Sequence, residues 1–194
     1  MKIIKIDSWL TVFLLFLCPF MGHTASIPSW QLTPAESSLT FTATQNGAPV
    51  TGEFKTFTGQ ILFSLSDLKH SQATITIDIS SLSASYRDLT TTLMTPEWFN
   101  AKVFPKAVFK STGFTQVSDK TFQATGFLTI KDKTAPVTLT FTAVEPKNNQ
   151  IIVDGTTSIN RSTFGVGQGE WASTKEIKDE VMIHFKLVAK GTEQ

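Results

Sequence analysis

Hydrophobic and polar residues alternate along most of the chain after position 39. Leu39, Phe41 and Ala43, for example, are separated by threonines. Residues that alternate in this way face opposite sides of a β-strand, so each alternating run predicts a strand with one buried face. The runs are 39–44, 50–57, 59–65, 74–79, 106–114, 121–131, 137–143, 150–158 and 181–189. Short polar segments separate them, which predicts eight or nine antiparallel strands.

The alternation is interrupted once, at residues 82–102. Leu89 and Leu93 lie four positions apart, as on one face of a helix. The Thr-Pro-Glu sequence at 95–97 has the order of a helix N-cap, a proline at the first helical position and an acidic residue in the first turn. We therefore predict one or two short helices in this segment.

The first 25 residues have the features of a secretory signal. Lys2 and Lys5 precede an uncharged apolar run of 12 residues at 10–21, and small residues follow near Ala25. A membrane-spanning helix needs about 20 apolar residues, so this run is too short for a retained anchor. We expect residues 1–25 to be a cleaved signal peptide, residues 26–194 to form one domain, and the protein to be periplasmic or secreted.

The charge of the predicted mature domain is balanced. Residues 26–194 carry 15 basic and 15 acidic side chains and no cysteine. A domain of this size buries about 70% of its unfolded surface and needs no disulfide or metal for stability. Scattered, balanced charges do not favour phosphate binding, so we expect neither nucleic acid as a partner nor stable insertion into a membrane.

The candidates for chemistry are few. The predicted domain contains only two histidines, His70 and His184, both at polar positions, and no Gly-x-Ser-x-Gly motif. A metal site needs several converging ligands, and two distant histidines without cysteine do not supply them. We predict surface positions for both histidines and no catalytic residues, metal or cofactor.

The apolar strand faces leave two architectures open. Eight or so strands with little helix to cover them form either a sandwich or a closed barrel. A barrel of this size is either filled by side chains or holds one small ligand. The same choice applies to the inward phenylalanines, which are either core residues or the lining of a ligand channel.

Several motifs in order indicate a family. They are GEFKTFTG at 52–59, Arg-Asp at 87–88, FPKAVFKS at 104–111, GFLTI at 126–130 with TAPV at 134–137, and NRSTFGV at 160–166. With this set the chain resembles the YceI-like family from Trp30 to about Ala189. The resemblance implies an all-β fold, namely a single antiparallel eight-stranded lipocalin-like barrel with one or two short helices. It also implies an exported protein with an apolar channel for a polyisoprenoid or other long-chain lipid.

The resemblance and the strand faces together give the candidate site. The predicted ligand-binding residues are Phe41, Phe54, Ile77, Leu93, Trp98, Phe99, Phe109, Leu128, Phe141, Phe164 and Phe185. Arg87 and Arg161 either anchor a lipid head group or hold their segments on the barrel, because arginine suits bidentate contacts. Ser37-Ser38 stands where the family usually has a His-Ser pair, and Gln45 stands where it usually has a second histidine, so we expect an altered rim.

We therefore predict an exported, non-enzymatic protein that binds a long-chain amphiphilic lipid for carriage or storage. The expected ligand is a polyisoprenoid or an isoprenoid quinone, and a homodimer is compatible with the sequence. Three alternatives stay open: a small outer-membrane barrel, a lipid-modifying enzyme that uses the same channel, and a structural or partner-binding β-sandwich with a filled core.

Overall fold

The computed structural model describes residues 27–144 and 146–192, so the predicted signal peptide lies outside the described part. The described chain consists of β-strands, one α-helix and several short 3₁₀ turns. The helix, α1, is Arg87–Leu93. The strands are β1 Ser29–Leu32, β2 Ser38–Gln45, β3 Ala48–Phe54, β4 Phe57–Leu62, β5 Gln72–Asp78, β6 Leu82–Ala84, β7 Lys106–Ser118, β8 Thr121–Ile130, β9 Lys133–Ala143, β10 Gln150–Asn160 and β11 Glu180–Gly191.

The strands close into an antiparallel barrel. Neighbours pair in the order β1-β4-β5-β7-β8-β9-β10-β11, and β11 pairs with β1 to complete the ring of eight. At one end β2, β3 and β6 continue the positions of β1, β4 and β5, because β11 also pairs with β2, β2 with β3, and β3 with β6. The closed ring confirms the predicted eight-stranded barrel and excludes the sandwich.

The alternation in the sequence corresponds to the two faces of the barrel wall. On β9, Thr138, Thr140 and Thr142 are exposed while Phe141 is buried. The core has two parts along the barrel. Trp30, Phe63, Phe122 and Phe141 belong to one part. The other part includes Phe41, Leu93, Trp98 and Phe164, and α1 packs against it.

One short helix forms in the segment 82–102, within the predicted one or two, because the Thr-Pro-Glu residues fold into successive turns. The Phe99 N–H donates to the Leu93 carbonyl, and Asn100, with a φ of 49°, donates to the Thr95 carbonyl. This left-handed residue ends the turn before a helix can extend. The strand β1 was not predicted because its four residues are too few to show a period.

Glycines on the barrel wall allow aromatic rings to lie flat against neighbouring strands. Gly52 is the register partner of Phe41, and a Cβ atom at position 52 would overlap that ring. Gly155 lies between Phe141 and Phe185, where a Cβ atom would be 2.5 Å from Phe185 Cζ and 2.6 Å from the Thr140 carbonyl oxygen. Aromatic rings that lie against the inner side of the strands leave space along the barrel axis.

Gly155→Ala tests this packing. The added methyl group must displace the Phe185 ring or the Thr140 backbone, so we expect a loss of about 1–3 kcal/mol in the free energy of unfolding. Urea denaturation measures the change. Gly113→Ala is the matched control, because its Cβ would have ordinary contact with Thr125 Oγ1 at 3.5 Å. Equal stability of the two variants would show that the close approach at Gly155 has no energetic weight.

Candidate functional site

An apolar cavity of about 310 Å³ occupies the half of the barrel that α1 covers. This volume lies at the lower end of the range for small-molecule pockets, about 300–1,000 Å³. We call the residues that line it the wall. Ten of the eleven predicted ligand-binding residues are on the wall: Phe41, Phe54, Ile77, Leu93, Trp98, Phe99, Phe109, Leu128, Phe164 and Phe185.

Phe141, the remaining predicted residue, lies deeper in the barrel. It lines a second cavity of about 70 Å³ together with Trp30 and Phe114. The two cavities share lining residues that belong to several strands. They are Ile75, Phe109, Leu139, Phe185 and Leu187. The interior is therefore elongated along the barrel axis and narrows between a larger and a smaller cavity, and Phe141 borders only the smaller one.

The segment of α1 forms one side of the larger cavity. Tyr86, Asp88, Leu89 and Leu93 are on the wall. The sequence analysis used Leu89 only to predict the helix, although its spacing to Leu93 already places both residues on one face. The predicted anchor Arg87 is exposed and does not line the cavity.

Arg161 is on the wall but is fully engaged by the protein itself. Its side chain is buried, with 4% of the residue exposed. A guanidinium group has five N–H donors. Nε and the two Nη atoms donate at 2.9–3.2 Å to the carbonyls of Val166, Gly167, Ser173, Ile177 and Lys178. No donor is left for a head group, so the geometry favours the structural alternative for Arg161.

The surroundings of Arg161 close this end of the barrel. Burial lowers the pKa of its guanidinium below the usual value, and the nearby Asp179 carboxylate opposes that shift. The guanidinium carbon lies 5.9 Å from the centroid of the Trp98 ring, a cation–π contact. Trp98 in turn packs against Trp171, with ring centroids 5.9 Å apart. The buried charge therefore ties the segment after β10 to the cavity wall.

Trp98 provides an unusual polar group. Its Nε1 atom is buried and has no hydrogen-bond partner within the described structure. Burying an unpaired donor costs about 1–3 kcal/mol. The indole is therefore a buried neutral donor on the wall whose hydrogen bonding is incomplete. Sequence reasoning selected Trp98 for its apolar surface and did not anticipate the unpaired N–H.

Both histidines are exposed, as predicted, and each contacts a carboxylate. His70 Nδ1 lies 2.9 Å from Asp67 Oδ1, and this hydrogen bond lowers the pKa of Asp67. His184 Nε2 lies 3.1 Å from Asp154 Oδ1. Neither histidine is on the cavity wall, and in residues 27–144 and 146–192 no cluster of three or more potential metal ligands is found.

Arg161→Lys tests the structural role of Arg161. A lysine has three donors, so at least two of the five carbonyls lose their partner. Hydrogen bonds to charged groups contribute about 1.5–3 kcal/mol each, and we expect a loss of about 3 kcal/mol or more in the free energy of unfolding. Urea denaturation measures it. Arg87→Lys, at an exposed site, should cost about 0.5 kcal/mol or less; equal costs at both sites would contradict the assignment.

Comparison with known proteins places this barrel among relatives. A family model for the YceI-like domain matches residues 30–189. BcnA of Burkholderia cenocepacia has a solved structure with a TM-score of 0.78 and 33% sequence identity, over 82% of this chain and 99% of that chain. A polyisoprenoid-binding domain from Saccharophagus degradans has a TM-score of 0.67 at 17% identity, over 85% of this chain and 99% of that chain.

Two further comparisons complete the picture. The YceI protein of Campylobacter jejuni has a TM-score of 0.65 at 20% identity, over 74% of this chain and 85% of that chain. No curated protein sequence matches the chain. The helices in the described part are all too short or too polar to cross a membrane. The family match over most of the chain and the 33% identity to BcnA show that this protein belongs to the YceI-like domain family.

Proposed function

We propose that the protein is exported and binds a long-chain amphiphilic lipid, a polyisoprenoid or an isoprenoid quinone, for carriage or storage. The observation that carries this proposal is the elongated apolar cavity inside a closed barrel. The similarity to a solved polyisoprenoid-binding domain supports it. The proposal includes release of residues 1–25 and a periplasmic or secreted location.

Burial of the chain supplies the affinity. Each buried methylene group contributes about 0.8 kcal/mol, so about 15 carbons contribute about 12 kcal/mol before the costs of association and ordering. Ile77, Leu128 and Phe109 offer such a chain an apolar surface. Binding of this kind needs no polar contact along the chain. It is therefore tolerant of chain type, and the head group is the remaining determinant of specificity.

The wall favours a neutral head group. Its charged residues are Asp88 and Arg161, and the donors of Arg161 are all engaged by main-chain carbonyls. A phosphate group would find no free cation on the described wall and would meet the Asp88 carboxylate. The Trp98 N–H, in contrast, suits a carbonyl or hydroxyl oxygen. Within the proposed class, this supports a quinone or an alcohol over a prenyl phosphate.

The wall also supports binding rather than catalysis. Its hydroxyl groups belong to Tyr86 and to the threonines Thr40, Thr92 and Thr157, and no histidine accompanies them on the described wall. The threonine hydroxyls donate to main-chain carbonyls and not to the Asp88 carboxylate. Activation of a hydroxyl nucleophile requires a base within hydrogen-bond distance. A lipid-modifying enzyme in the same cavity therefore has less support than a binding protein.

Mass spectrometry of an organic extract tests the ligand class directly. Protein purified without detergent should release a long-chain neutral lipid, in an amount comparable to the amount of folded protein. The extract of an unrelated exported protein, prepared in parallel, gives the background. An extract that contains no long-chain lipid above that background would contradict the proposal.

Filling the cavity should remove the ligand without unfolding the barrel. Ala107 is buried on the wall, and Ala107→Phe places a ring where the lipid would lie. We expect a large loss of extracted lipid per mole of protein and a change of about 1–3 kcal/mol or less in the free energy of unfolding. The adjacent Lys106 is exposed, so Lys106→Phe should retain the lipid. Equal lipid content in the two folded variants would show that the cavity is not the binding site.

The intact mass of the protein tests export. Expression of residues 1–194 in a bacterial host should give a periplasmic or extracellular protein that lacks about the first 25 residues, because the apolar run is too short to span a membrane. Fractionation and intact-mass measurement decide the matter. Recovery of the full-length mass from the cytoplasm alone would contradict export.

A further inference from the structure

Strands β9 and β10 pair along only part of their length. These strands pair from Ala143 and Val153 to Thr140 and Thr156, and the pairing stops there. The outer neighbours differ, since β8 pairs with β9 as far as Lys133 and β10 pairs with β11 as far as Asn160. The segments 133–139 and 157–160 therefore lie side by side without a ladder. We call this gap the seam.

The sequence disfavours main-chain pairing at the far end of the seam. Pro136 lies within β9 and has no N–H to donate to a neighbouring strand. Beyond the last register pair, the Thr157 hydroxyl donates to the Thr138 carbonyl at 2.9 Å. A single side-chain hydrogen bond thus replaces several main-chain bonds.

The seam connects the cavity with the outside. A surface groove of about 540 Å³ lies over it. Val137, Thr157, Ile159 and Phe164 line both this groove and the internal cavity. At this point a single layer of side chains therefore separates the cavity from the outside, and apolar groups form the inner surface of that layer.

Exposed apolar side chains flank the seam on the outer face. Phe127 is 49% exposed and is the register partner of Pro136, and Met182 is 44% exposed and is the partner of Ser158. Outward positions on these strands are otherwise mostly polar, such as Thr138 and Thr140. An alkyl chain that reaches the seam from outside meets apolar surface on both sides.

The end of the barrel is held more firmly than the seam. The segment after β10 is fixed by the five hydrogen bonds of Arg161 and by the packing of Trp98 against Trp171. A ligand that entered there would have to break a buried, charged network, whereas the seam has no main-chain ladder and is bridged by the hydrogen bond from the Thr157 hydroxyl to the Thr138 carbonyl. The lower cost lies at the seam.

We propose that the seam is the portal through which the chain of the bound amphiphile enters and leaves the cavity. This inference rests on the proposed lipid-binding function. The strands separate between Thr138 and Ser158, the chain passes Val137 and Ile159, and the Thr157 hydroxyl closes the gap behind it. The seam then controls the rates of binding and release, while the wall controls the affinity.

Thr157→Val is the first test, because it removes the hydroxyl and keeps the shape of the side chain. The probe is retinol, an uncharged isoprenoid alcohol whose fluorescence rises in apolar surroundings, with transfer to phosphatidylcholine vesicles as the measure of release. Loss of the one bond should raise both the entry rate and the release rate about fivefold. A mere increase in wall apolarity would slow release and leave entry unchanged, which would overturn the proposal.

Thr142→Val is the matched control. Thr142 Oγ1 donates to the Asp154 carbonyl at 3.3 Å. This bond joins the same two strands, but it lies where they pair. Both rates should match those of the unmodified protein. An equal acceleration by Thr142→Val would show that the effect on the rates is not confined to the seam, and this would overturn the proposal.

Cross-linking is the converse test. Thr138→Cys and Ser158→Cys, joined by a short bis-maleimide in a Cys18→Ser background, should slow both entry and release about tenfold or more. The control pair is Gln123→Cys and Thr140→Cys, because these residues are register partners on β8 and β9, which pair continuously. A helix-side pair, Thr51→Cys and Ser85→Cys, is joined in the same way, since their hydroxyl oxygens lie 3.3 Å apart.

The outcomes separate the two proposals. Slowing by the seam cross-link alone supports the portal. Slowing by the helix-side pair alone would place the route beside α1 and overturn the portal, while leaving lipid binding intact. Unchanged rates in all three cross-linked proteins would also overturn the portal alone. If the unmodified protein binds no retinol, the portal fails together with this probe as a ligand, and the extract described above tests lipid binding independently.

Discussion

The closure of the strands into a ring is the constraint on which the rest of the molecule depends. Because β11 pairs with β1, the strands outside the seam pair with a neighbour on each side, and the barrel has one continuous inner face. That face has to be apolar, since polar groups turned inward would lack partners. Phe41 and Phe185 meet this requirement while lying against Gly52 and Gly155, so the interior is apolar without being full. The cavity follows from these two conditions together.

The sequence was sufficient to predict the fold because period-two alternation is a local signal. It located most strands to within a few residues, and the motif order selected the barrel over the sandwich. It could not predict β1, whose four residues gain their structure from pairing with β4 and β11. It predicted one or two helices at 82–102, and one forms; at 95–97 the Thr-Pro-Glu order suits a helix cap, but the positive φ of Asn100 ends the turn.

The sequence predicts those residues of the site whose position depends only on which side of a strand they face. Inward positions such as Leu128 and Ile77 are on the wall because alternation fixes which side they face. The structural role of Arg161 was one of the two predicted alternatives, but its acceptors were not predictable, because they are main-chain carbonyls distributed over residues 166–178. Sequence spacing shows side chains and their periods, and it contains no record of where carbonyl groups converge. The seam also escaped prediction, because alternation marks each strand separately and does not show how far neighbouring strands pair.

The pairing of β1 with β11 also bears on how the chain reaches its native state. It joins Trp30 to Gly191, residues separated by nearly the whole described chain, so the ring cannot close until the last strand is present. Contacts so distant in sequence form late and slowly, because the chain entropy of a long loop is lost before the contact forms. Until then β1 and β10 each present an open edge that can pair with another chain. A chain of this topology therefore completes its ring only after β11 has been synthesised, and the order of synthesis sets the period during which these edges are open.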